Sequence, residues 1–250
     1  MLFLRLEFMK TLFQLHLDNL ARPKQPVNLV KNAADATLYI YDVISADWGV
    51  SALSVIDAIT QAGDTKTLNV RISSPGGDVF ESRAIMAAIA RFPGNTIAHI
   101  DGICASAATS IALACGEVVM SDGGFFMIHN ASGMAWGDKQ ELRDTADLLE
   151  KIEGVIVADY TGKTGKDAAE IVAMMQAETW LTATEALAHG FIDRIAESKA
   201  KPGNKWDLSA YAKAPMQPPD PIAEPVETIT SQHRERQQQR IKLANHATRQ

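Results

Sequence analysis

Ser106 and His129 are the two side chains in this sequence whose chemistry and settings could combine into nucleophilic catalysis. A serine hydroxyl reacts only when a base takes its proton, an acid orients that base and donors meet the developing oxyanion. Ser106 lies early in "GICASAATSIALACG", residues 102–116, just past a Gly-containing turn and near the start of an expected helix. Free backbone N–H groups and the helix dipole favour negative charge there. The same composition has a plainer reading, since serine among alanines and glycines lets helices pack closely. The run is not the G-x-S-x-G elbow of the α/β-hydrolases. His129 closes the strand-like "FFMIH" and precedes "NASG", where an imidazole can reach over a sheet edge or can simply be structural. The other histidines are weaker candidates. His16 and His99 sit in strand-like runs, His189 precedes the helix-stopping Gly190, and His233 and His246 fall in the tail.

A third feature is "SPGG", Ser74 to Gly77, between an expected strand and an expected helix. Two glycines let backbone come close to a ligand, with N–H groups at the helix start pointing at it. An ordinary tight turn would use the same residues. "TGKTGK", Thr161 to Lys166, invites a phosphate-loop reading and fails it, because Val157 stands where G-x-x-x-x-G-K-[ST] requires glycine. No Cys/His cluster has zinc spacing. Neither a metal nor a cofactor is called for.

The elements that must position these residues alternate between strand-like and helix-like from Thr37 to about Ile195. "TLYIYDVI" reads as a strand and "SALSVIDAIT" as a helix capped by Ser51. "LNVRIS" is a strand running into "SPGG". "DVFESRAIMAAIARF" is a helix with a capping-box pattern, Asp78 and Glu81, stopped by Pro93-Gly94. "NTIAHI" is a strand leading to a turn at Asp101-Gly102, and "EVVM" and "FFMIH" are two more strands around "SDGG". Such alternation predicts an α/β fold with mostly parallel pairing. Lys139 to Tyr160 reads as a long amphipathic helix: Leu142, Ala146, Leu149, Ile152, Ile156 and Tyr160 recur at spacings of three and four, widened by Leu148 and Val155. A stripe this wide needs a partner, and self-association is expected.

Composition sets the outer bounds. A chain of 250 residues that is 46% hydrophobic can bury one substantial core. A formal net charge of -6 argues against a general nucleic-acid surface. Two cysteines, Cys104 and Cys115, make no disulfide framework, so reduced thiols and a cytosolic location are expected. The N-terminal "MLFLRLEFMKTLFQLHL" is interrupted by Arg5, Glu7 and Lys10 and does not read as a signal peptide, and Met1 and Met9 are both possible starts. No apolar run reaches the ~18 residues of a membrane span. Six of the ten prolines lie between Pro202 and Pro225, as in a linker without a packed core. Ser231 to Gln250 carries five Lys/Arg against one Glu, a solvated tail or a short basic helix.

In combination, "SPGG", a helix, "GICASAATSIAL", "MIHNASG" and "ETWLTATEALAHGFID" resemble the Clp protease proteolytic subunit family, most closely its phage and prophage head maturation branch. The resemblance implies the ClpP/crotonase fold, a serine endopeptidase activity and assembly into homo-oligomeric rings. It implies Ser106 as nucleophile, His129 as general base, and the backbone N–H groups of Gly77 and Ala107 as the oxyanion hole. It also implies that Lys139–Tyr160 is the family's "handle" helix. The third triad member departs from the pattern: Glu178 in "ETWLTA" stands where the family has aspartate, and Asp193 in "GFID" is a second candidate. Glutamate can serve, as it does in other triads.

The organisation expected from this is an N-terminal extension over residues 1–36, a protease domain over 37–197, a Pro-rich linker over 198–230 and a basic tail over 231–250. The substrates implied are scaffold or capsid-precursor chains, cut in the host cytoplasm or the prohead. Two alternatives stand beside it: a degradative subunit fed by a separate ring ATPase, and a capsid-assembly interaction protein with little peptidase activity. Among relatives on the same scaffold, signal peptide peptidase A-type enzymes use a Ser–Lys pair, and no lysine occurs between Lys66 and Lys139. Crotonase-type acyl-CoA enzymes would not require the Ser106/His129 pair.

Overall fold

In the computed structural model, residues 27–196, 208 and 211–215 are described. One eight-stranded sheet forms the frame. Its strands are β1 (Asn28–Lys31), β2 (Asp35–Ile40), β3 (Thr67–Ser74), β4 (Asn95–Ala105), β5 (Glu117–Ser121), β6 (Phe125–Ile128), β7 (Thr179–Thr182) and β8 (Arg194–Ala196). The main path runs β1-β2-β3-β4-β5-β8, with β6 on β4 and β7 on β6. Pairing is parallel except for β1/β2 and β6/β7. The sheet therefore begins at Asn28, ahead of the expected boundary at residue 37. Residues 1–26 lie outside the described part.

Among the described residues six helices accompany it: α1 (Ala52–Ala62), α2 (Val79–Ala90), α3 (Ala107–Leu113), α4 (Lys139–Thr164), α5 (Ala168–Gln176) and α6 (Ala183–Ala188). The two-residue alternation of the strands decides which face they cover. Leu38, Ile40, Leu68, Val70, Ile72, Ala98 and Ile100 are fully buried in one core with Val55, Ile85, Ile89 and Ile111 from the helices. Each such aliphatic side chain contributes roughly 1.5–3 kcal/mol. The opposite face of the same strands carries a polar ladder in which Arg71 pairs with Asp101, Tyr41 donates to Asp101 at 2.5 Å and His99 meets Asn69 at 2.9 Å.

The starts of α1 and α2 follow the sequence signals with one exception. The Ser51 hydroxyl accepts from Ser54 N at 3.2 Å, a cap worth about 1 kcal/mol. Asp78 caps α2 through Phe80 N and Glu81 N. Glu81 does not complete the expected box: its carboxylate accepts from Ala52 N at 2.6 Å and ties the start of α1 to α2.

β4 corrects a second expectation, because the chain does not turn at Asp101-Gly102. The first half of β4 pairs with β5 and the second half, Ile103–Ala105, with β6. Gly102 is the crossover, where a side chain at Gly124 would lie 3.2 Å from the Gly102 carbonyl. The strand thus carries the chain to Ala105, and Ser106 stands at its tip.

α4 is attached to the body by its C-terminal part. Ile156 and Tyr160 are buried, whereas Leu142, Leu148 and Val155 are about half exposed. Asp138 and Glu141 form a capping box at its start, and Gly165, at φ 69°, ends it four residues beyond the expected limit. α5 was not among the expected elements. No helix among the described residues is long and apolar enough to cross a membrane.

Candidate active site

Four strand ends converge. β3 delivers "SPGG", β4 delivers Ser106, β6 delivers His129 and β7 begins just after Glu178, so the site lies beyond the carboxyl ends of the parallel strands. Ala105 pairs with Met127, and Ser106 N donates to Met127 O at 2.9 Å. The Ser106 hydroxyl then meets His129 Nε2 at 2.7 Å. In the antiparallel β6/β7 pair Ile128 faces Thr179, so the next residues out, His129 and Glu178, are brought level across the sheet.

Backbone strain collects here. Ser106 (φ 55°) and Glu178 (φ 49°) are the two non-glycine residues with positive φ among those described. Each such conformation costs of the order of 1–3 kcal/mol and persists only when its surroundings hold it. Ser106 is held by three neighbours. Its carbonyl accepts from the Thr109 hydroxyl at 2.5 Å, its N–H is held by β6, and Gly76 lies flat against it. A Cβ at Gly76 would come within 2.8 Å of Ser106 Cβ.

Donors for an oxyanion are available beside the hydroxyl. Ile44 pairs with this loop through Gly76 O and Asp78 N, which leaves the N–H of Gly77 unused by that pairing. Gly77 needs to be glycine: its φ is 145° and a Cβ would sit 2.1 Å from Ile44 O. Ala107 opens α3, so its N–H has no partner within the helix. Gly77, Ala107, Ser106 and His129 line one pocket. Burial holds the His129 imidazole below its ordinary value, and the negative charge of Glu178 pulls the other way. A neutral imidazole touching a hydroxyl is competent to take its proton.

The Clp protease family model matches residues 27–199. The chain belongs to the Clp protease family. With that comes the enzyme class, a serine-type peptidase. An ATP-dependent Clp protease proteolytic subunit from Pleurastrum terricola is 32% identical over 153 residues, covering 59% of this chain and 76% of that relative. A protein of the same name from Streptococcus suis is 32% identical over 145 residues, covering 54% and 70%. A point mutant of ClpP1 from Listeria monocytogenes shares the fold with a TM-score of 0.59 at 22% identity, over 65% of this chain and 92% of that one.

Within this Clp-type site Glu178 and Asp193, the two carboxylates open for the third position, have different surroundings. Asp193 accepts from Val118 N at 2.7 Å and from Lys163 Nζ at 2.7–2.8 Å, pinning β5 and the end of α4 to the turn before β8. Glu178 is the carboxylate whose charge acts on His129. Yet among the described residues its hydrogen bonds go elsewhere, to Trp180 Nε1 at 3.1 Å, Ala212 N at 2.9 Å and Lys213 N at 2.7 Å.

Those last two partners belong to the stretch expected to be a coreless linker, which is a correction for residues 208 and 211–215. Leu208 and Tyr211 pack with Trp180 on Ile103, Ala105 and Met127. The Tyr211 ring stands edge-on to His129 with centroids 5.3 Å apart. Nothing in the sequence placed Tyr211 at the site. The available signal was one aromatic and one aliphatic residue in "DLSAYAKAP", ahead of the denser proline run. The rest of the linker and the basic tail over 231–250 lie outside the described residues.

Proposed function

We propose that this chain is a Clp-type serine endopeptidase in which Ser106 attacks the substrate carbonyl and His129 takes its proton. The 2.7 Å contact between the Ser106 hydroxyl and His129 Nε2 carries this reading. The oxyanion of the tetrahedral intermediate is received by the N–H groups of Gly77 and Ala107, a contribution on the order of a hundredfold per donor. His129 then protonates the leaving amine, an acyl-enzyme remains on Ser106, and water hydrolyses it by the same base. Glu178 is the orienting acid, its charge acting on the imidazole.

The assembly is a ring of identical subunits with the sites facing an internal chamber, and the half-exposed apolar stripe of α4 is the surface by which such rings join. For substrate, the motif order supports scaffold or capsid-precursor chains of a phage head. The names of the similar proteins support a second reading, a degradative subunit working with a separate ring ATPase. Cleavage of folded protein stimulated by an unfoldase and ATP would select the second.

A fluorophosphonate probe tests the chemistry directly. It is expected to label the wild-type chain at Ser106 and to leave Ser106→Ala unlabelled. Equal labelling of both would overturn the assignment.

A further inference from the structure

A side chain from the segment after β8 lies beside both Ser106 and His129. Tyr211 lies edge-on to two rings, His129 at 5.3 Å and Trp180 at 5.8 Å. Beneath it are Ile103 and Met127. At the depth of its phenol, the hydroxyl donates to the Pro75 carbonyl at 2.5 Å. Burial pushes that phenol up to about 12, opposed by the neighbouring Ser106 hydroxyl.

We propose that the segment around Tyr211 is a tethered occupant of the substrate cleft, and that the pocket Tyr211 fills is a subsite for an aromatic substrate side chain. The inference rests on the peptidase reading above and names the substrate class of that site.

Three contacts support occupation over mere packing. The ring stands perpendicular against the imidazole that must take a proton. The next two residues donate their backbone N–H groups to Glu178, the carboxylate expected to orient that imidazole. Lys213 Nζ then donates to Ala177 O at 2.5 Å, adding a positive charge beside Glu178. With the segment in place, Glu178 serves the tail, and with the segment gone it is free to serve His129. The chain is latent while the segment is docked.

The same contacts describe what a substrate must bring. Two perpendicular aromatic rings and an apolar floor favour an aromatic group. The Pro75 carbonyl gives tyrosine an advantage over phenylalanine, because a buried acceptor left without its donor is penalised. An acidic side chain would meet Glu178. A tethered group competes at an effective concentration in the mM range, so its removal should raise turnover roughly tenfold or more.

The test uses the full chain. Tyr211→Ala and Tyr211→Phe are compared with wild type for the rate of fluorophosphonate labelling, with native mass confirming unchanged assembly. Quenched peptides differing at one residue, Tyr, Phe, Leu or Glu, are then offered to Tyr211→Ala. Labelling is expected to be fastest in Tyr211→Ala and intermediate in Tyr211→Phe. Turnover should follow the order Tyr, Phe, Leu, Glu, and a synthetic peptide of residues 208–215 should inhibit Tyr211→Ala competitively. Wild-type or slower labelling of Tyr211→Ala overturns the proposal while leaving the peptidase reading intact, and so does an absence of aromatic preference. If wild type and Tyr211→Ala both resist the probe, the peptidase reading falls and takes this inference with it.

Discussion

Tyr160, deep in the long helix α4, donates to the Thr109 hydroxyl at 2.6 Å, and Thr109 in turn donates to the Ser106 carbonyl at 2.5 Å. A hydroxyl has one proton to give, so the direction of this chain is fixed: Tyr160 to Thr109 to Ser106. The helix with the half-exposed apolar stripe is thereby linked to the residue held at positive φ. Tyr160→Phe keeps the ring and its edge contact with Phe191 at 5.6 Å while deleting one link. It should cost about 1 kcal/mol in a denaturant titration. It should also lower kcat with little change in KM, since only the seating of Ser106 is loosened. Unchanged kcat would show that the link does not position the nucleophile.

His129 sets the pH dependence. Its acid form is disfavoured by burial, so the free base persists to lower pH than an ordinary imidazole at 6.5 would allow. The acid limb of kcat/KM should therefore lie below 6.5. Glu178 raises the His129 value, so Glu178→Gln should move that limb further toward acid, in addition to lowering the plateau. A limb that moved to higher pH in Glu178→Gln would contradict the coupling.

The two carboxylates should separate cleanly. Asp193 is tied to Lys163 and to Val118 N, so Asp193→Asn is expected to lower the melting temperature and keep most of the activity. Glu178→Gln should lose two orders of magnitude or more in kcat, toward the roughly 10⁴-fold recorded when a triad loses its orienting acid. The reverse pattern would transfer the orienting role to Asp193.

How much of this was legible in the residues differs from place to place. The parallel α/β character could be read from alternating patterns, because Leu38, Ile40, Leu68, Val70 and Ile72 alternate with polar neighbours or follow one another in short runs. The start of α1 could be read from Ser51, whereas α4 outran the expected end at Tyr160 and stops only at Gly165. The proximity of Ser106 and His129 could be inferred only by resemblance, since it depends on β4 exchanging β5 for β6 at Gly102. That exchange is a tertiary event with no local signature beyond one glycine. α5 was passed over because its nine residues, "AAEIVAMMQ", carry only two polar side chains and so show no clear alternation of apolar and polar faces. The docking of Tyr211 was hidden for a related reason: side-chain burial on a distant strand leaves no periodicity in the docking segment.

Gly76 offers a sharper test of the site than any charged residue, because alanine adds one carbon in one place. That carbon would lie 2.6 Å from Ala105 O and 2.8 Å from Ser106 Cβ, at a φ of 96° that alanine resists. The backbone on both sides must shift, and an ångström of misplacement can cost about a hundredfold in rate. Gly76→Ala is expected to fold, by circular dichroism and cooperative unfolding, while labelling with fluorophosphonate far more slowly than wild type. Wild-type labelling would mean that the loop yields without disturbing Ser106.

The apolar stripe of α4 makes the last prediction. Leu148 and Val155 are 49% and 52% exposed on a helix anchored to the body by Ile156 and Tyr160. Burying such side chains is worth roughly 1.5–3 kcal/mol each, and a repeated contact multiplies that around a closed assembly. Replacing both with glutamate should leave the subunit folded, since neither side chain belongs to its core, and should shift native mass from the full assembly toward smaller multiples of the 27.1 kDa subunit. Peptide turnover should fall with it, through the Tyr160–Thr109–Ser106 chain that joins this helix to the site. An unchanged assembly would place the subunit contacts elsewhere on the molecule and leave the stripe without a partner.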